Sequence, residues 1–375
     1  MKKRNQVLWN GMTFLAWIWV GVFPQSRGWA LTEFVQVTEK DFSLRSMGPL
    51  QITNAKGDIS IQGWSQDRLR IKFIKKVQAE TEAAAAPLFN RIQYRFEVKD
   101  GNIEISNQYG ESLSIEEALK ERENHGVRAD MVIFAPANLK LSLWSVKGKI
   151  SLKGWNSALA VRSHDGPLQV ENVKSESVSV DCMTCAISLK DIRSNLRVKS
   201  NSGSIYAENI TGKDLFFATD SGAIRTVRIA GAQIYVAKEG QIDGQELDGK
   251  IEFHTEGGNV ALKQSSGFLS GNTESGNILA QMVSWKPSDK ALIESISGNI
   301  DLTLPFSFSA DVDLETATGK IQVGFPLILQ RDGLQKQTST QKILGKIGDG
   351  GEYLRVDTKS GSIRLESEKN KMKFF

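Results

Sequence analysis

The sequence predicts an all-β fold: a parallel β-solenoid of the β-helix or β-roll kind, with rungs of about 18–21 residues and a small strand-helix-strand entry region. Three observations predict it. A glycine returns every 18 or 19 residues at Gly148, Gly166, Gly203, Gly222, Gly240, Gly258 and Gly276, with Cys185 in the slot between Gly166 and Gly203. The series continues more loosely through Gly298, Gly319 and Gly361. Two places after the glycine stands an unbroken aliphatic column: Leu168, Ile187, Ile205, Ile224, Ile242, Val260, Ile278, Ile300, Ile321 and Ile363. Between glycines, stretches such as Leu196 to Ser200 alternate apolar and polar, the period of a half-buried strand.

The chain opens with Lys2, Lys3 and Arg4, an apolar run from Met12 to Phe23, then Gly28, Trp29 and Ala30. That order is the order of a secretory leader, so residues 1–30 are expected to be a signal peptide. The apolar run is short against the roughly 20 residues of a spanning helix. No transmembrane segment is expected after cleavage, and the chain is expected to be exported, to the periplasm or the cell surface. Four basic residues leave with the leader, and the remaining 43 Lys and Arg face 43 Asp and Glu. A mature chain near neutrality carries no electrostatic signature of nucleic-acid binding.

Residues 31–140 read as an entry or cap region. Gly57 to Ile61 with Trp64 repeats the signature once, and Leu69 to Val77 reads as a strand. Ala79 to Arg91 looks helical, with Pro87 expected to bend or end a turn. Arg95 to Ser106 reads as strand turning at Asp100-Gly101, Ser114 with Glu117 as a capping box, and Met131 to Ala135 as strand. Such a region would cover the open end of a stack of strands.

Residues 141–368 hold the repeats. A second inward column lies five places before the glycine: Val161, Val180, Val198, Phe217, Tyr235, Phe253, Ile293, Leu314 and Val356, interrupted at Gly271. A third lies seven after it: Trp155, Val173, Ile192, Ile210, Ile229 and Leu247. The glycines are expected to be turn residues of positive φ. The Ser or Thr just before them, as in Ser202, Ser221 and Ser275, would bond the turn backbone. Asn259, Asn277 and Asn299 follow their glycines in three successive rungs and would stack as a ladder. About 325–353 the pattern lapses into an insertion worth about one rung, after which the last repeat closes the chain. Residues 369–375 are a tail.

Candidate chemistry is sparse. Cys182 and Cys185 sit in strand-like surroundings rather than at the helix N-terminus a redox-active pair wants. Three scattered histidines cannot complete a zinc site with them. A local disulfide or two buried thiols remain. Two places before the glycine, Glu256 and Glu274 stand one rung apart, the spacing of a hydrolytic carboxylate pair. Polar residues are also what exposed corners ordinarily carry, and Lys238 in the same column reads as charge compensation. No catalytic, cofactor-binding or metal-binding residue is otherwise indicated.

Gly57-Asp-Ile-Ser-Ile-Gln-Gly-Trp64, the block Leu69 to Ile105, the entry through Met131 to Pro136 into Ser145 to Leu152, and Gly345 to Gly351 with Thr358 to Leu365 together resemble the bacterial "putative adhesin" family of repeated Ser-Gly-Asn/Asp-Ile units. The resemblance implies an exported adhesin-like solenoid and carries no reaction. The expected function is therefore a non-enzymatic scaffold or multivalent binding module of the cell envelope, its partner a glycan or an envelope protein. The competing expectations are a glycan-active hydrolase or lyase on the same fold, and a periplasmic sensor or assembly partner.

Overall fold

The computed structural model describes residues 14–17, 31–43, 48–99, 101–109, 126–286, 290–336 and 340–368. The expected capping box at Ser114, the tail 369–375 and most of the leader lie outside them. The chain forms two compact units, Met1–Ser175 and Glu176–Phe375, both nearly all β.

In the first unit, Leu50–Lys56 and Ile59–Trp64 flank Gly57 and are parallel to their neighbours on both sides. Leu50 pairs with Ile103 on one side and Leu141 on the other. Ile59 pairs with Met131 and with Ile150. Leu159–Asp165 then continues beside Leu141–Lys147, and Ile150 pairs on with Leu168. The stack is therefore out of chain order, because the earliest repeat-like segment sits between two later ones. Ile59, Ile61, Ile150, Leu152, Met131 and Ile133 are all buried, so any of these segments can neighbour any other through the same apolar face.

Antiparallel strands extend this unit. Arg68–Ala79 pairs with Val127–Pro136 and with Thr32–Ser43, and Phe14–Trp17 pairs with Thr32–Ser43 through Gln36 to Glu39. Ile92–Lys99 and Asn102–Tyr109 form a hairpin in which Gly101 takes a φ of +84°. Among the described residues there is one helix, Glu82–Asn90, which starts at Thr81, whose hydroxyl accepts from the Ala84 N–H. It packs Ala85 and Phe89 against Val77, Ile92 and Val127. Pro87 does not end it: Leu88, Phe89 and Asn90 follow in helical conformation.

The second unit begins as a regular parallel stack. Ile187–Ser200, Ile205–Thr219, Ile224–Ala237, Ile242–Thr255 and Val260–Thr273 pair each with the next, through Ile187, Ile205, Ile224, Ile242 and Val260 in register. Each is one long bent strand rather than two or three short ones. The bend falls at Asp191, Asn209, Arg228, Glu246 and Gln264, whose φ values lie between 51° and 56°. The 19-residue step from Gly203 to Gly222 also has a cause: the register shifts between Thr211 and Asp214, so the extra residue is absorbed as a bulge at Gly212-Lys213. The three aliphatic columns are buried as expected, among them Ile205, Ile210 and Phe217. The break at Gly271 is steric, since a Cβ there would meet the Phe253 ring.

Past Thr273 chain order fails again. Ile278 pairs with Ile300, but Ile300 pairs next with Ile363, and Ile363 with Ile321. Likewise Ile293 pairs with Val356, which pairs with Leu314. The last repeat does not close the stack; Tyr353–Thr358 and Ile363–Ser367 are inserted between the two repeats that precede them. The stretch about 325–353 is no rung either. Leu327–Lys336 and Gln341–Ile347 form an antiparallel hairpin on the edge of Ala310–Thr316. The hairpin occupies the chain between Gly319 and Gly361 and lets the final segment return.

Candidate functional site

The rungs of the second unit turn on a four-residue corner of common pattern, and where a glycine ends it the glycine is there for space rather than for φ. A Cβ on Gly203 would strike the Cys185 carbonyl, and Gly222, Gly240, Gly258 and Gly276 would each strike the carbonyl of the preceding glycine. None of these five has positive φ. Of the predicted turn glycines only Gly57, Gly148 and Gly166 do, at 137°, 139° and 108°. The same approach reports the order of the stack: Gly361 stands against Gly298, and Gly319 against Gly361.

Three residues before the glycine is a buried hydroxyl that sequence reasoning missed. Gly203, Gly222, Gly258 and Gly319 donate their N–H to Ser200, Thr219, Thr255 and Thr316 at 2.9 to 3.0 Å. The same hydroxyls bond the adjacent rung: Thr219 donates to Gly203 O at 3.2 Å, Thr358 to Gly298 O at 3.0 Å and Thr316 to Gly361 O at 2.7 Å. One side chain thus satisfies a donor in its own turn and an acceptor in the next. The only sequence signal for it is Ser or Thr at most positions of that column, broken at Ala237. The residues directly before the glycine do less: Ser275 and Ser297 donate to Glu256 O and Glu274 O at 3.2 and 3.3 Å.

Cys182 and Cys185 fall on these two columns, Cys182 in the hydroxyl slot and Cys185 in the glycine slot. They are joined as a disulfide, with Cα atoms 5.7 Å apart. Cys182 Sγ accepts from the Cys185 N–H at 3.0 Å, as the hydroxyls do from glycine.

The asparagine ladder exists. Asn259 Oδ1 accepts from the Asn277 N–H at 2.8 Å, Asn277 Oδ1 from Asn299 at 2.9 Å, and Asn299 Oδ1 from Ser362 at 2.8 Å. It passes from Gly298's rung to Gly361's, again skipping Gly319's. In the first unit Asp130 and Asp58 serve the same way, accepting from the Asp58 and Lys149 amides.

Glu256 and Glu274 lie on successive exposed corners, tied through the Ser275 N–H to Glu256 O. Lys238 in the same column pairs with Asp220 at 3.2 Å, not with either glutamate. His254 Nδ1 is hydrogen-bonded to Asn272 Oδ1. Among the described residues no group of three or more His, Cys, Asp or Glu side chains is arranged to hold a metal ion.

The bends carry a second missed column. Asn209 donates to Asp191 Oδ1 at 2.9 Å, and Arg228 donates to Asn209 Oδ1 and Glu208. Flat faces lie on either side of the bend. On one, Arg197, Phe216, Ile234 and Glu252 are in register, with Arg197 4.7 Å above the Phe216 ring. On the other, Tyr206, Arg225, Asp243 and Ala261 are in register.

Two polar networks lie off these ladders. Tyr235, wholly buried, donates to Gln233 Oε1 at 2.7 Å and accepts from Thr226 at 3.3 Å; burial pushes its phenol pKa up. On the inserted C-terminal strand, Tyr353 donates to Asp313 Oδ2 at 2.8 Å. Lys342 contacts Asp313 at 3.3 Å and Glu315 at 2.9 Å, and the Glu315 hydrogen bond leads in raising its pKa. This network fastens the inserted strand and the hairpin to Ala310–Thr316.

A sequence model described as Toastrack DUF4097 matches residues 148–366. One solved structure, a "putative cell adhesion protein" from Clostridium sporogenes ATCC 15579, aligns over 90% of this chain and 100% of its own at 12% identity, with a TM-score of 0.17. No curated protein matches the chain.

Proposed function

The chain belongs to the Toastrack DUF4097 family, and on that premise we propose that it is an exported, adhesin-like β-solenoid that acts as a non-enzymatic binding scaffold in the bacterial cell envelope. One observation carries the reading: parallel registry sets outward side chains in flat rows, so that rung after rung offers a contact of similar geometry to one extended partner. Phe216, Ile234 and their charged neighbours Arg197 and Glu252 make one such row. Individually weak contacts repeated along a rigid row add up as effective concentration rises. The rows suit a glycan or an envelope protein.

Protease shaving of intact cells, with a fractionation control, tests where the scaffold acts. Digestion from outside supports surface adhesion, to be followed on glycan and host-matrix arrays. Protection until the outer layer is opened contradicts adhesion and directs the search to periplasmic partners by cross-linking.

A glycan hydrolase is the second reading, favoured by Glu256 and Glu274 on adjoining exposed corners. Given measurable glycan turnover, its loss in both Glu256→Gln and Glu274→Gln supports that site. Turnover that survives both removes it.

A further inference from the structure

The disulfide sits where the corners of the second unit are otherwise closed by a hydroxyl and a glycine, Ala237 before Gly240 excepted. In those corners the hydroxyl is 0 to 3% exposed, and the glycine has no room for a Cβ. Cys182 and Cys185, 5% and 0% exposed, place two sulfur atoms in that closed space. They fit because they are bonded: bonded sulfurs stand about 2 Å apart, whereas two thiols need van der Waals separation, well over an ångström more. The space is sealed by the next rung. Asn201 N–H donates to Cys182 O at 3.1 Å, Ser202 N–H to Met183 O at 2.9 Å, and the Ser200 hydroxyl to Cys185 O at 3.5 Å. Only the tip is open, with Met183 47% exposed and Thr184 beside it.

We propose that Cys182–Cys185 is a redox-sensitive corner, closed while the disulfide is intact and opened by its reduction. A dithiol reductant supplies two electrons and two protons; the Sγ–Sγ bond breaks, two thiols form, and the reductant leaves as its own disulfide. The separated sulfurs push the 182–185 turn outward, and the Asn201 and Ser202 amides lose their carbonyl partners. The disturbance is local, because the Ser200–Gly203 corner keeps its own bonds to the rungs beyond it: Asn201 O accepts from the Asp220 and Ser221 amides, and Asp220 O from the Glu239 amide. Buried sulfur also means that reduction waits on opening of the corner, so it is slower than for an exposed disulfide.

Native-state hydrogen exchange of the full chain with and without dithiothreitol tests this, and these two cysteines are the only ones in the chain. Reduction is expected to speed exchange at Asn201 and Ser202 by about tenfold or more while Glu239 and Ser275 are unchanged. The double substitution Cys182→Ser with Cys185→Gly restores the neighbouring corners' chemistry, and its exchange should ignore the reductant. Unchanged protection at Asn201 and Ser202 in the fully reduced wild type would overturn the proposal. So would two titratable thiols in protein isolated under oxidising conditions. Both readouts stand on the wild type alone, should the double variant fail to fold.

Discussion

Within the second unit, Ile187–Thr273 stacks in chain order whereas Ala291–Ser367 does not, although both are built from the same columns. In the first stretch a short corner joins each strand to the next, so consecutive rungs must be neighbours. In the second, the hairpin of Leu327–Lys336 and Gln341–Ile347 separates Gly319 from Gly361 and frees the last repeat to insert between its predecessors. The first unit does the same where Arg68–Ala79 and the helix separate Gly57 from its neighbours in the stack. Column chemistry decides which segments can stack; connector length decides their order.

Removing residues 353–368 should have the largest effect. Ala310–Thr316 loses Tyr353–Thr358 and Ile300–Leu304 loses Ile363–Ser367, so their amide protection should collapse toward that of frayed ends while Ile187–Thr273 stays protected. Equal loss across the unit would erase the distinction between the two stretches. Gly258→Ala should cost about 3 kcal/mol or more by urea denaturation, because its Cβ overlaps the Gly240 carbonyl. The adjacent Gly257→Ala should change stability by about 0.5 kcal/mol at most, since the nearest atoms stand 3.8 Å away.

Thr219→Val should cost about 1–3 kcal/mol by leaving the Gly222 N–H and Gly203 carbonyl unpaired, and Thr219→Ser should recover most of it. Tyr235 makes stability depend on alkaline pH. Its phenol ionises near pH 10 in the unfolded chain but at higher pH when buried, so the folded state holds the proton longer. Stability should therefore fall above about pH 10, by up to about 1.4 kcal/mol per pH unit, and Tyr235→Phe should remove that slope. One change should be a gain: Glu246→Gly relieves a left-handed side-chain residue and should stabilise by about 1 kcal/mol.

The repeat, its inward columns and the asparagine ladder were legible because burial of Ile205, Ile210 and Phe217 imposes a period, and a period shows in one sequence. Two things were legible only in part. The glycines stood out, but positive φ and close packing leave the same residue behind; only the carbonyl of the neighbouring rung shows that packing governs Gly203 through Gly276. The hydroxyl column was hidden by variation among Ser200, Thr219, Ala237 and Thr255, and by the conspicuous serines next to the glycines. Strand order was not legible at all: Gly361 carries the same signature as Gly319, and nothing in either says which lies against Gly298. Of the candidate site, Cys185 could be placed in the glycine slot, but Cys182 could not be recognised as occupying the hydroxyl slot, because that slot had not been seen.

Paired cysteines test the stacking order most directly. Asp301 and Gln322 each stand opposite Arg364 on outward-facing positions, on the two sides of the inserted strand. Under mild oxidation Asp301→Cys with Arg364→Cys should cross-link, and so should Gln322→Cys with Arg364→Cys, while Asp301→Cys with Gln322→Cys should not. A bridge between positions 301 and 322, with none from either to 364, would mean that the repeats stack in chain order and would contradict the account.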